Sequence, residues 1–244
     1  MSFSEDGFAV LGAAIDRPTR EAMRDALDAW LIERGERGPF GILRNNIRCE
    51  VDCVAEFVNS GQLAMAACEL LGLPDVVLFQ DNLVWKPRGA ARIEWHQDYS
   101  YWPLDAPIGV TFWLALDDSD EANGCMHYIP GTHLLGERQP ADFIRGSGQP
   151  SRAGLPPLQW AERRADVVSV PVKAGHLLAH HPLVWHMSPA NETARQRRAL
   201  TFSWIGSQVR WDPDHAPHPF NFLLGPTAGT AVRGELFPRF EKGA

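Results

Sequence analysis

Apolar residues recur at helical spacing over residues 18–34, where Met23, Leu27, Trp30 and Leu31 share one side of a helix that Pro18 opens and Gly35 stops. A second helix is predicted from Ser60, with Leu63, Ala67, Leu70 and Leu71 along one flank and Gly72, then Pro74, ending it. Beyond Pro74 the period changes to two. Strands are predicted at 76–85, 92–99, 110–116, 126–129, 167–172, 176–180 and 199–205, separated by clusters of Gly, Pro, Asp and Asn. Helices followed by many short strands point to an α+β chain, mainly β. Its core is then a double-stranded β-helix, or jelly roll, with N-terminal flanking helices.

One stretch breaks the pattern. Residues 136–165 are rich in Gly, Pro and Arg and lack periodicity, which suits either a lid over a binding site or a passive surface insertion. A length of 244 residues fits one domain spanning 1–244. A formal charge of -7 argues against nucleic acid or an anionic membrane as partner, because such proteins present a concentrated positive field, and favours a small-molecule ligand. Residues 1–7 lack the basic and apolar segments of a signal peptide, and no apolar run approaches the length of a membrane span. A cytoplasmic protein is expected. The four cysteines (Cys49, Cys53, Cys68 and Cys125) form no CxxC pair and are expected to be reduced, mostly buried thiols.

The chemistry is carried by Trp95-His96-Gln97-Asp98, by His181-Pro182-Leu183-Val184-Trp185-His186 and by Arg197-Arg198-Ala199-Leu200. On a strand, residues i and i+2 face the same way, so His96 and Asp98 place an imidazole beside a carboxylate. Two histidines and a carboxylate on one face of an octahedral ion leave positions open for a bidentate cosubstrate and O2, as a non-haem Fe(II) oxygenase requires. The His-x-Asp pair says little by itself, since roughly 0.6 such pairs are expected by chance in this composition. Its surroundings decide.

Those surroundings resemble the phytanoyl-CoA dioxygenase family of Fe(II)/2-oxoglutarate oxygenases. The likeness includes Trp95 to Asp98, Val110-Thr111-Phe112-Trp113-Leu114-Ala115-Leu116-Asp117-Asp118, Glu121-Ala122-Asn123-Gly124-Cys125-Met126 and Ile129-Pro130-Gly131-Thr132-His133. It continues through Gly175-His176-Leu177-Leu178 and His181 to His186, and ends at Arg197-Arg198-Ala199-Leu200. It covers about Val76 to Ile205 and implies a jelly-roll core. The resemblance implies His96, Asp98 and His186 as Fe(II) ligands and catalytic centre, and Arg197 as partner of the distal carboxylate of 2-oxoglutarate. Ser188 falls where a hydroxyl joins that carboxylate, and Trp113 falls either at a wall of the cosubstrate pocket or in the core. The implied reaction uses O2 and 2-oxoglutarate to oxidise, most simply to hydroxylate, a small substrate, releasing succinate and CO2. Asp98 favours oxygenation, because related halogenases lack the carboxylate.

Arg197 and Arg198 compete for the cosubstrate, and strand parity separates them. Arg197 shares a face with Ala199, Thr201 and Ser203, a small and hydroxylic surface suited to a dianion, whereas Arg198 faces with Leu200, Phe202 and Trp204. Arg195 belongs to a solvated turn, as do the residues from Asp117 to Glu121. Of His180 and His181, one is expected to point into the barrel. His127 is either a structural histidine or a substrate contact. Tyr99, Tyr101 and Trp102 either stack on an apolar or cyclic substrate or pack the core. Lid arginines would suit a CoA thioester, but the acidic chain favours a free small molecule. Two other readings stay open: a non-catalytic jelly roll that binds a small molecule, and a zinc-dependent hydrolase using the same three ligands.

Overall fold

A computed structural model describes residues 1–34, 42–138 and 166–243. In chain order its helices and strands are α1 (Phe3–Asp6), β1 (Phe8–Ala13), α2 (Arg17–Arg34), β2 (Ile42–Asn45), α3 (Asp52–Asn59), α4 (Gln62–Leu71), β3 (Asp75–Lys86) and β4 (Ile93–His96). There follow β5 (Gly109–Ala115), β6 (Met126–Tyr128), β7 (Val168–Val170), β8 (His176–His180), β9 (His186–Ser188), β10 (Arg197–Gly206), α5 (Pro219–Leu224) and β11 (Arg239–Glu241). The proposed lid falls outside the described residues, apart from Gly136, Glu137 and Arg138. Among the described residues no helix is long and apolar enough to cross a membrane.

The strands form two antiparallel sheets. The larger runs β1-β8-β5-β10-β3-β11, with β2 also paired to β3; the smaller runs β4-β9-β6-β7. This is the mainly-β jelly roll expected from the sequence. β5 and β10 are buried along their whole lengths because both faces of the larger sheet are covered. Its outer face packs Val110, Phe112 and Leu114 with Leu200, Phe202 and Trp204 beneath Leu27 of α2, Phe57 of α3 and Leu63 of α4. Its inner face gathers Trp113, Leu178 and Ala199 against Met126 and Tyr128 of the smaller sheet. Parity therefore leaves the intervening inward residues Thr111, Thr201, Ser203 and Arg197 between the sheets. Gly109 is required where β5 meets β10, since a Cβ there would sit 2.6 Å from the Trp204 carbonyl oxygen.

Arg198 lies on the outer face and binds helix to sheet. It donates from Nε and Nη2 to Asp117 (2.8 and 3.0 Å) and from Nη1 to Asp28 of α2 (2.7 and 2.9 Å). Asp117 is thus an ion-pair partner rather than part of a solvated turn. Breaking a fully buried pair typically costs about 3–5 kcal/mol, and the 44% exposure of the Asp28 side chain reduces this. Arg198→Ala is expected to cost roughly 2–3 kcal/mol, a fall in melting temperature of about 4–12 °C, with cosubstrate affinity little changed. An unaltered melting temperature would show that this network does not hold α2.

One predicted strand differs in detail. The strand expected over 92–99 stops at His96, because Asp98–Tyr101 form a 3-10 turn held by the Tyr99 amide on the Pro182 carbonyl (3.0 Å). The chain after Ile205 adds a further apolar cluster. Trp211, Phe220 and Phe237 pack with Phe79 and Trp102 in a second core, and His218 caps α5 by accepting the Phe220 amide. The cysteines are free; Cys68 and Cys125 are buried, whereas Cys49 is exposed.

Candidate metal centre

β4 ends on His96 and β9 begins on His186, and the two residues face each other across the paired strands with ring centroids 4.0 Å apart. Gln97 remains extended (φ -120°, ψ 132°), which returns Asp98 to the His96 side before the turn begins. Asp98 Oδ1 lies 3.7 Å from His96 Nε2 and 3.4 Å from His186 Nε2. One donor atom from each residue falls within 4.8 Å of the others. Both rings are aimed from behind: His96 Nδ1 donates to the Glu94 carbonyl (2.8 Å) and His186 Nδ1 to the Val184 carbonyl (3.0 Å). A carbonyl only accepts, so each Nδ1 carries a proton and each ring turns its Nε2 inward.

Electrostatics fit a cation. Burial, reinforced by His186, pulls His96 down to about 3, so it is neutral near pH 7. Burial would raise Asp98, but His186 and His180 outweigh it and hold the carboxyl well below its usual range. Two imidazoles and one ionised carboxylate converging on one point make a donor set suited to a divalent ion. The other carboxylate oxygen, Oδ2, is occupied: Thr111 Oγ1 donates to it at 2.8 Å and His180 Nε2 lies 3.0 Å away.

A cation without an anion stands beside this group. Arg197 opens β10 opposite Lys86 of β3, is fully buried, and holds its guanidinium 5.4 Å from the centroid of the Trp113 ring. Its Nε, Nη1 and Nη2 find no hydrogen-bond partner among the described residues, and neither does Ser188 Oγ. Ser188 lies two residues after His186 on β9 and so shares its face. Lys86 is also fully buried. Its Nζ donates to the carbonyls of Ser188 (2.9 Å) and Pro189, and burial, with Arg197 and Arg92 adding repulsion, lowers its pKa to about 6. Through these bonds it braces the Ser188 end of β9. Gly124 leaves room for that brace: at φ 88°, a Cβ would lie 2.5 Å from the Pro189 carbonyl oxygen.

The structure groups His96, Asp98 and His186, with Ser188 two residues along β9, sets Arg197 against Trp113, and leaves the Tyr101 ring 6.3 Å from His96. Tyr99 and Trp102 go elsewhere. Both belong to the second core, and the Tyr99 hydroxyl donates to the Leu104 carbonyl (2.9 Å). His127 is likewise turned away, because its neighbours Met126 and Tyr128 point inward on the short strand they share. Of the adjacent pair, His180 is the one that points into the barrel. Arg195 pairs with Asp120 at the surface. The sequence reading missed Thr111 and Lys86. Thr111 was findable as the residue two before Trp113 on the same face, whereas Lys86 gave only the signal of a lone cation ending an apolar strand.

Residues 3–199 match the family model described as phytanoyl-CoA dioxygenase (PhyH). The phytanoyl-CoA dioxygenase domain-containing protein 1 of Bos taurus is 31% identical over 179 residues, covering 69% of this chain and 59% of that protein. The chain thus spans less than two thirds of that relative. The crystal structure of SnoK, a non-haem alpha-ketoglutarate-dependent carbocyclase from nogalamycin biosynthesis, superposes with a TM-score of 0.81 at 22% identity, covering 97% of this chain and 93% of that one. The epimerase SnoN, solved with Fe3+, alpha-ketoglutarate and a nogalamycin compound, gives a TM-score of 0.75 at 21% identity over 97% and 95% of the two chains. At these identities the two solved structures speak for the fold.

Proposed function

Because the chain belongs to the phytanoyl-CoA dioxygenase family, we propose that it is an Fe(II)- and 2-oxoglutarate-dependent dioxygenase that oxidises, most simply hydroxylates, a small free organic molecule. The observation that carries this reading is Arg197, a buried guanidinium beside a His-Asp-His group with none of its three nitrogens bonded. Burial lowers its pKa to about 10, so the charge stands desolvated without a partner and costs folding stability. A carboxylate at that position offsets the cost. A zinc hydrolase would leave the arginine without a role, and a passive binding module would not need the three inward-turned ligands.

His96 Nε2, His186 Nε2 and Asp98 Oδ1 would hold Fe(II), and Arg197 with the Ser188 hydroxyl would take the distal carboxylate of 2-oxoglutarate. Bound there, iron and cosubstrate supply the oxidising power, with O2 consumed and 2-oxoglutarate converted to succinate and CO2. The protein's part is orientation and exclusion of water. Trp113 covers the Arg197 end, and Thr111 and His180 keep Asp98 turned. Toward β3 the inner wall is polar, with Asn82 Nδ2 donating to Thr201 Oγ1 (3.1 Å). This wall, with Tyr99 and Trp102 in the core rather than stacked on an apolar or cyclic substrate, favours an oxygenated substrate. The cytoplasmic setting belongs to the same proposal.

Anaerobic addition of Fe(II) and 2-oxoglutarate is expected to produce a visible metal-to-ligand charge-transfer band that neither component gives alone. Fe(II) binding with no response to 2-oxoglutarate would reject the cosubstrate. No Fe(II) binding at all would reject the metal centre.

A further inference from the structure

The carboxylate of the proposed metal site is held from behind by a line of polar side chains that crosses the sandwich. Tyr128 of β6 lies in the smaller sheet and His180 of β8 in the larger; the Tyr128 hydroxyl is 3.0 Å from His180 Nδ1, and His180 Nε2 is 3.0 Å from Asp98 Oδ2. Ionised Asp98 only accepts, so the proton on that last contact belongs to His180 Nε2. Thr111 Oγ1 has one hydrogen and directs it to the same Oδ2 (2.8 Å), which makes Ser203, 3.2 Å from Thr111, the donor to the threonine oxygen. All these side chains are buried apart from the carboxylate itself, and Tyr128 is further fixed by stacking on Phe8 at 4.3 Å.

Two donors therefore converge on Oδ2, while Oδ1 alone turns toward His96 and His186. A carboxylate so held presents one oxygen to an ion. Released from behind, it could rotate and offer both, and the second would take a position that a bidentate cosubstrate and O2 need. Nothing in the metal-ligand pattern itself requires a tyrosine or a histidine at 128 and 180. Apolar residues would fill these positions in a jelly-roll interior.

We infer that Tyr128 and His180, together with Thr111, are positioning residues that fix Asp98 as a one-oxygen ligand and thereby set the affinity and ligand field of the metal. The inference rests on the metal reading above. Its test uses the purified metal-free chain and Co(II) as a spectroscopic stand-in for Fe(II), so it does not depend on turnover. Relative to the unaltered chain, His180→Phe is expected to weaken Co(II) binding about 10- to 100-fold and to shift the visible Co(II) spectrum, as loss of a partner behind a metal ligand usually does. Tyr128→Phe removes a single oxygen and is expected to act in the same direction by several-fold. Thr111→Ser is expected to keep the wild-type spectrum, whereas Thr111→Val is not.

A merely structural role would lower the melting temperature of these variants and leave the Co(II) spectrum of the folded fraction unchanged. That result, with wild-type affinity in Tyr128→Phe and Thr111→Val, would overturn the inference even if His180→Phe failed to fold. Absence of Co(II) and Fe(II) binding by the unaltered chain would instead overturn the metal reading and the relay with it.

Discussion

His186→Ala is expected to abolish 2-oxoglutarate-dependent succinate formation and to weaken Fe(II) binding by more than about 100-fold, because losing a ligand should exceed the 10- to 100-fold effects of losing its supporting partners. The fold should survive. His186 is buried on a three-residue strand, and its Nδ1 hydrogen bond to the Val184 carbonyl serves to aim the ring. Open metal sites contribute function more than core burial, so the metal-free melting temperature should move by only a few degrees. His127→Ala is the control, since it removes a histidine from the opposite face of the adjoining strand. Succinate formation retained in His186→Ala, or lost equally in His127→Ala, would place the metal elsewhere.

The parts of this site that could be read from sequence were those governed by strand parity over long strands. β10 is ten residues long and buried on both faces, so assigning Arg197 and Arg198 to opposite sides needed only alternation; the structure indeed places one beside Trp113 and the other on Asp28 and Asp117. Parity gave less over short strands. β6 and β9 have three residues each, too few to show a period, and neither the inward turn of Tyr128 nor the outward turn of His127 had a signal of its own.

Other misses have other physical causes. Tyr99 and Trp102 follow Asp98 directly, and no pattern distinguishes an aromatic lining a cavity from one filling a core when the backbone leaves the strand for a 3-10 turn. The helix α3, with Val54, Phe57 and Val58 at helical spacing, was available to the same rule that found α2 and α4, but its eight residues lie between two stronger signals. Lys86 depends on contacts with the Ser188 and Pro189 carbonyls, about a hundred positions away in the chain. Only the folded chain brings these groups together.

Replacing Arg197 tests the cosubstrate directly, and the choice of replacement matters. Alanine removes the charge and leaves a cavity, whereas methionine removes the charge and retains much of the volume. In the ligand-free chain the guanidinium is fully buried with no anion or acceptor among the described residues, so it contributes desolvation cost without a compensating bond. Arg197→Met is therefore expected to leave the metal-free protein at least as stable as the original, and to fall no lower in melting temperature than Arg197→Ala. Binding moves the other way. A buried carboxylate deprived of its partner typically loses about 2–5 kcal/mol, which corresponds to a weakening of 2-oxoglutarate affinity of roughly 30-fold to several thousand-fold in either variant. Fe(II) affinity without cosubstrate should change little, because Arg197 is not a ligand. Arg198→Ala should show the converse pattern, a lower melting temperature with near-normal cosubstrate affinity. A large affinity loss at Arg198 with little at Arg197 would reverse the assignment of faces, and no loss at either position would mean that the ligand of Arg197 is not 2-oxoglutarate.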